Sequence, residues 1–249
     1  MKTRQLLLNL LLLCALSISA QTEPDAPLVP TDSTFNGHNK WTIELSVGNA
    51  KGIGPYSTKY FSSNFSNYKP NIDINSYSLG ARYMFNEKFG VKAALNSEFL
   101  RPVPNNSSKE FLMQQYGFSV EGVINLFQLV NLQDTFGRFG ILLHSGLKFD
   151  HMVSKTPNIV GDDQNFDEFA NNLGILYGIT PQFRINNKLA VKFDFYIQNN
   201  YHQKLNYDGS SASRSDNLTG QLINGSLGIN YAIGKQKTHT DWTKVSKKQ

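Results

Sequence analysis

Eleven ionisable side chains fall on alternate positions of otherwise apolar stretches: Glu44, Arg82, Lys92, Glu98, Glu121, His144, Lys148, Asp150, Arg184, Lys192 and Asp194. Residues two apart on an extended strand share a face, so this spacing gathers the charges on one side and the apolar groups on the other. Three chemistries suit such a face, in this order. Opposite charges packed together can pair and hydrogen-bond as a polar structural core. A carboxylate among several cations can exchange partners and gate a narrow ion path, because lumen charges tune conduction. Glu44 and Glu121 are the candidate acids and Arg82, Lys92 and Arg184 the candidate bases, with Lys148, Lys192 and Asp194 completing the network. Last, His144, Ser119 and Glu121 supply a base, a hydroxyl and an acid, the parts of a lipid-modifying hydrolase if they meet within hydrogen-bond reach.

Other chemistries find no support in the residues. Cys/His zinc spacing, a phosphate loop and a nucleotide motif are all missing from the sequence, so neither a metal nor a cofactor is expected. The single cysteine, Cys14, lies near the N-terminus, which leaves none for disulfides or thiol catalysis after it. The net charge is +5, and most of the excess sits in the tail from Lys235 to Gln249. A nucleic-acid surface would need a basic patch on folded structure.

The elements that must position the charged face begin after an export segment. Lys2 and Arg4 precede an apolar run, Leu6 to Ile18, and small residues follow at Ser17 to Ala20. This is the pattern of a secretory signal at 1–20, too short for a membrane span of about 20 apolar residues. A polar leader with Pro24, Pro27 and Pro30 covers 21–38, and its Asp32-Ser33-Thr34 resembles a short acceptor motif for O-linked sugars. Eight strands are then predicted, at about 40–49, 75–84, 89–99, 114–125, 139–150, 172–185, 189–199 and 221–234. Seven alternate regularly, while 114–125 does so more loosely.

The charged face cannot meet lipid, so the apolar face must lie outside. That polarity is the reverse of a soluble lipid-binding barrel. An open sheet edge in lipid would leave backbone groups unpaired, so the fold class predicted is all-β, an eight-stranded antiparallel up-and-down transmembrane β-barrel over residues 39–234. A basic periplasmic tail is expected at 235–249. Connections after strands one, three, five and seven are long and polar, whereas Phe85 to Lys88 and Asn186 to Lys188 are tight. Outer-membrane barrels have long outer loops and short periplasmic turns, which places both termini in the periplasm. Leu126 to Arg138 is the exception: longer and rather apolar, it suits a short amphipathic segment at the inner interface. Trp41, Tyr83, Phe89, Phe139, Phe183 and Tyr231 gather near one set of strand ends, and Phe99, Tyr116 and Phe149 near the other, as two interfacial belts would. Ser226 to Ile233 has the form of a signal read by the outer-membrane insertion machinery.

Trp41 to Gly52, Gly80 to Asn86, Tyr177 to Phe183, Asn217 to Gln221 and the exit Gly234 to Trp242 with Asp241-Trp242 resemble, in order and spacing, the N-terminal barrel of OmpA-type outer-membrane proteins of Bacteroidota. The resemblance implies an integral outer-membrane barrel. The charge-lined lumen, with little free bore in eight strands, points to a mainly structural role with at most a narrow gated ion path, and no enzyme is expected. The barrel's partners would be outer-membrane lipids and lipopolysaccharide, the insertion machinery, and a periplasmic or surface protein. Family members commonly continue into a peptidoglycan-binding domain; here only a short tail is expected after the barrel. A small-solute porin is the alternative within the same fold.

Overall fold

The computed structural model describes residues 37–57, 59–60, 74–102, 108–155, 169–211 and 218–243. The predicted signal, most of the leader with its Asp32-Ser33-Thr34 motif, and much of the long loops fall outside the described residues. Among the described residues there are eight strands: β1 (Trp41–Gly54), β2 (Ser76–Met84), β3 (Phe89–Leu100), β4 (Met113–Asn125), β5 (Phe139–Ser154), β6 (Phe169–Arg184), β7 (Leu189–Gln203) and β8 (Leu218–Ile233). Each pairs antiparallel with its sequence neighbours, and β1 pairs with β8 to close the barrel. Closure begins at Trp41 opposite Ile233 and runs to Gly54 opposite Gln221. The ladder then has no edge, so no backbone row is left unpaired.

The alternation sorts side chains as the sequence predicts. Leu95 and Leu227, pointing outward, are 58% and 56% exposed, whereas inward Arg82 and Lys148 are 1% and 0% exposed. Aromatic groups pair across strands at the turn end: Trp41 and Tyr83 are in register with ring centroids 4.9 Å apart, as are Phe139 and Phe183 at 6.2 Å. Tyr77 and Phe99 meet edge-to-face at the loop end.

Several strands run past their predicted limits at the loop end. β1 continues to Gly54, β5 to Ser154 and β7 to Gln203, and β6 and β8 start early, at Phe169 and Leu218. Backbone pairing persists there, for example Lys51 with Ile223 and Met113 with Ser154. The ladder needs only a neighbour, so it outlasts the alternation that signals a lipid-facing strand.

The two tight turns share one geometry. Asn86 Oδ1 accepts from the backbone N–H of Lys88 and Phe89, and Asn186 Oδ1 accepts from Lys188 and Leu189, at 2.8–2.9 Å. Between β4 and β5 the chain forms two four-residue helices, α1 (Leu126–Leu129) and α2 (Gln133–Phe136).

The interior is layered. Apolar groups occupy both ends: Met84, Val123 and Leu142 at the turn end, and a larger cluster with Leu100, Met113, Met152, Leu222 and the loop residues Tyr60, Phe111, Leu205 and Tyr207 at the loop end. The charges lie between these layers.

Candidate functional site

Seven charged positions from six strands converge on one inward network. Glu44 on β1 bridges two cations: Arg82 Nε on β2 and Lys192 Nζ on β7, each at 2.7 Å. Lys92 on β3 lies opposite Glu121 on β4 and contacts its Oε2 at 3.1 Å, with Asp194 Oδ2 at 3.7 Å. His144 on β5 joins the two acids, Nδ1 to Glu121 Oε2 at 2.6 Å and Nε2 to Asp194 Oδ1 at 3.0 Å. Thr180 also donates to Asp194 Oδ1. A Cβ at position 178 would fall 2.5 Å from His144 Nε2 and collide with the Phe195 carbonyl, so glycine there gives the imidazole its place. Both ring nitrogens face carboxylate oxygens, so the imidazole is held between two acids.

A second cluster lies nearer the loop end. Lys148 Nζ donates to Glu98 Oε1 at 2.8 Å and Gln198 Oε1 at 3.0 Å, with Asp150 Oδ1 at 3.3 Å. The Tyr196 hydroxyl donates to Glu98 at 3.0 Å, and Gln198 bonds Asp150 as well. Leu176 and Tyr196 line a void shared with Lys92, Glu121, Asp194 and a group of serines and asparagines, with room for roughly one water molecule.

The third part is a contact that the strand pattern did not foretell. Residues after β8, expected as a plain basic tail, turn back into the turn-end mouth. Gly234 makes the reversal at φ +142°, and a Cβ there would collide with Asn39 Oδ1. Asn39 then holds the segment by bonds to Gln236, Thr238 and Thr240. The short 3-10 turn Thr240–Trp242 inserts Asp241, whose carboxylate takes a bidentate pair of 2.8 Å bonds from the Arg82 guanidinium. Asn125 and Gln128 donate to the Asp241 carbonyl, and Gln128 also to that of Thr243. His239 accepts from the Asp241 N–H at Nδ1, leaving Nε2 to meet Thr42 Oγ1 at 2.8 Å. Burial raises the Asp241 carboxyl, but the Arg82 guanidinium outweighs it and holds it well below the usual carboxylate range.

The residues singled out from the sequence therefore divide. Glu44, Arg82, Lys92, Glu121, Lys192 and Asp194 form one network with His144, and Lys148 forms its own with Glu98 and Asp150. Arg184 corrects the expectation. It ends β6 half-buried at the rim, its guanidinium 5.5 Å from the Trp242 ring, and makes no ion pair among the described residues. Its place at the strand terminus puts it beyond the packed lumen. Asp241 was the missed member. The Asp241-Trp242 pair in an otherwise basic exit was the available signal, but nothing in the strand period shows that the chain reverses there.

Several solved structures of outer-membrane and surface proteins are similar to this chain. The crystal structure of Neisserial surface protein A is 14% identical, with 78% of this chain and 97% of that one covered at a TM-score of 0.43. A major outer membrane protein from Thermus thermophilus is 11% identical, with 78% and 99% covered at 0.49. The N-terminal β-barrel domain of Pseudomonas aeruginosa OprF is 13% identical, with 79% and 99% covered at 0.39. No protein-family model and no curated protein matches the chain. The architecture itself is read from this chain's own strand pairing.

Chemically, the network pairs its charges internally. Glu44, Glu121, Asp194 and Asp241 stand against Arg82, Lys92 and Lys192, with the His144 imidazole between two of the acids. The hydrolase arrangement is not the one built. Ser119 donates to Glu121 Oε1 at 2.6 Å, and the imidazole nitrogens are both turned to carboxylates. The acid thus sits between hydroxyl and imidazole, where nucleophilic activation needs the base next to the hydroxyl.

Proposed function

We propose that this chain is a small integral barrel of the bacterial outer membrane, with a mainly structural role in the envelope and at most a narrow, gated ion path. The observation that carries the reading is the inverted polarity of a closed barrel: its outward face is apolar, and its inside is a charge-paired core packed at both ends. Lipid is the solvent that such an outer face suits. The tight turns and both chain ends would face the periplasm, and the long loops the cell surface. Export would use the signal at 1–20, and insertion the terminal pattern Ser226 to Ile233. The partners would be membrane lipids and lipopolysaccharide on the outer face, with the insertion machinery during assembly. The five sequence segments resembling OmpA-type barrels of Bacteroidota agree with this reading. Catalysis forms no part of it, given the order of Ser119, Glu121 and His144.

Purified protein should migrate faster in SDS before boiling than after, because a closed barrel resists detergent until heated. Single-channel currents in a planar bilayer should be small or absent. Large steady conductance would overturn the closed-lumen reading in favour of a small-solute porin.

A further inference from the structure

The connection between β4 and β5 exposes a cluster of apolar groups, where each tight turn exposes a single one, Phe85 or Ile185. Leu129, Val130, Leu132 and Phe136 are 40–49% exposed in a segment of thirteen residues, 126–138. Water would disfavour this surface by about 25 cal/mol for each Å² left wet. The segment is nevertheless built as a firm unit. Asn125 caps α1 by accepting from the Gln128 N–H, Leu132 N–H bonds the Phe127 carbonyl at 2.8 Å, and Phe127 stacks on Phe136 with centroids 4.6 Å apart.

Two of its polar side chains are fixed inward. Gln128 donates to the carbonyls of Asp241 and Thr243 in the inserted segment, and Gln133 donates to Gly137 and Phe139. With both glutamines committed to the protein, Leu129, Val130, Leu132 and Phe136 are left exposed on the outside, beside the polar Asn131, Asp134, Thr135 and Arg138. The hairpin lies next to the outward belt: α1 and α2 pack on β5, whose first residue is Phe139, cross-strand partner of Phe183. The exposed apolar surface of the hairpin thus continues that of the barrel.

We infer that the α1–α2 hairpin is an interfacial anchor, with Leu129, Val130, Leu132 and Phe136 seated in the headgroup–acyl boundary of the leaflet at the turn end. An amphipathic segment in this position lies in the plane of the interface with its apolar side immersed. The inference rests on the membrane reading of the barrel, and it assigns to lipid a surface that could otherwise receive a protein.

Site-directed nitroxides test it in the full chain carrying Cys14→Ala, reconstituted in vesicles of phosphatidylethanolamine and phosphatidylglycerol. Labels would be placed singly by Leu132→Cys, Phe136→Cys, Leu147→Cys in the middle of the belt, and Lys237→Cys as an exposed polar site. Collision with oxygen reports lipid, and collision with a water-soluble nickel chelate reports water. At 147, 132 and 136 oxygen should exceed nickel, with 132 and 136 shallower than 147; at 237 nickel should exceed oxygen. Nickel dominance at 132 and 136, with 147 still in lipid, would overturn the anchor alone. Labels at 132 and 136 shielded from both reagents would overturn it in favour of a protein contact. Nickel dominance at 147 would overturn the membrane reading, and the anchor with it.

Discussion

Arg82 has two acidic partners, and they come from opposite ends of the sequence. Glu44 belongs to the first strand and Asp241 to the segment after the last, so one guanidinium ties the chain's beginning to its end. Removing one partner of a buried pair leaves an uncompensated charge, which typically costs about 3–5 kcal/mol. Because Glu44 remains, Asp241→Ala should cost about 3 kcal/mol, at the low end of that range, measured as a fall in the urea midpoint. Lys237→Ala, exposed nearby, should be close to neutral. The pH dependence has a definite sign. A carboxyl held below its usual range in the folded state binds fewer protons folded than unfolded, so its contribution is present above the unfolded value of about 3.9 and is lost as pH falls below it. The stability gap between the native chain and Asp241→Asn should therefore be constant near neutrality and shrink below about pH 4. On the opposite face, Phe193 is outward and partly exposed. Phe193→Arg should destabilise the inserted barrel by roughly 2–4 kcal/mol if it lies near the bilayer midplane. Phe193→Leu should have little effect, and equal tolerance of both would contradict a lipid-facing position.

Among the elements, the two tight turns show how little sequence is needed to reverse a strand. Phe85-Asn86-Glu87-Lys88-Phe89 and Ile185-Asn186-Asn187-Lys188-Leu189 place asparagine at the same point. In both turns the residue before asparagine donates its N–H to the carbonyl of the first residue of the next strand, at 2.9 Å. The asparagine side chain then accepts two further backbone N–H groups, a local bond that suits turns and competes with regular structure. Asn86→Ala and Asn186→Ala should each lose about 1 kcal/mol, seen as faster unfolding in urea with unchanged outer-face labelling. A loss of barrel closure in either variant would mean that the turn sets register, a task the strand faces should perform without it.

For the whole molecule, closure occurs twice along the axis. The inserted segment around Asp241 and Trp242 fills the turn end, and the cluster with Tyr60, Phe111, Leu205 and Tyr207 fills the loop end. Eight strands enclose an interior that side chains can fill, and two closures in series pass only the current that the tighter one allows. A chain truncated after Gly234 should therefore still conduct little, as should Tyr207→Ala alone. The two changes together should raise single-channel conductance above either, provided circular dichroism shows the barrel intact. Glu121→Ala should alter whatever current remains, since Lys92 and His144 both lean on that carboxylate.

The period of two along each strand separated a charged face from an apolar one, and with the need to pair every strand edge in lipid it implied a closed barrel of reversed polarity. It also placed the six charges Glu44, Arg82, Lys92, Glu121, Lys192 and Asp194 on one inward face, because side-chain facing on a strand is a local property. Strand ends at the turns were legible for a similar reason: the asparagine that makes the turn bonds only to residues two and three positions away. The loop-end limits were not, since pairing there continues without alternation. Partner choice within the network was beyond the sequence as well. Glu44 meets Lys192 across 148 positions and Arg82 meets Asp241 across 159, and such contacts depend on barrel closure and on which strands face each other. The return of Asp241 into the lumen, and the displacement of Arg184 to the rim, were decided only by the tertiary structure. A segment without strand period carries no facing rule, and its place is set by the buried guanidinium that needs a second carboxylate.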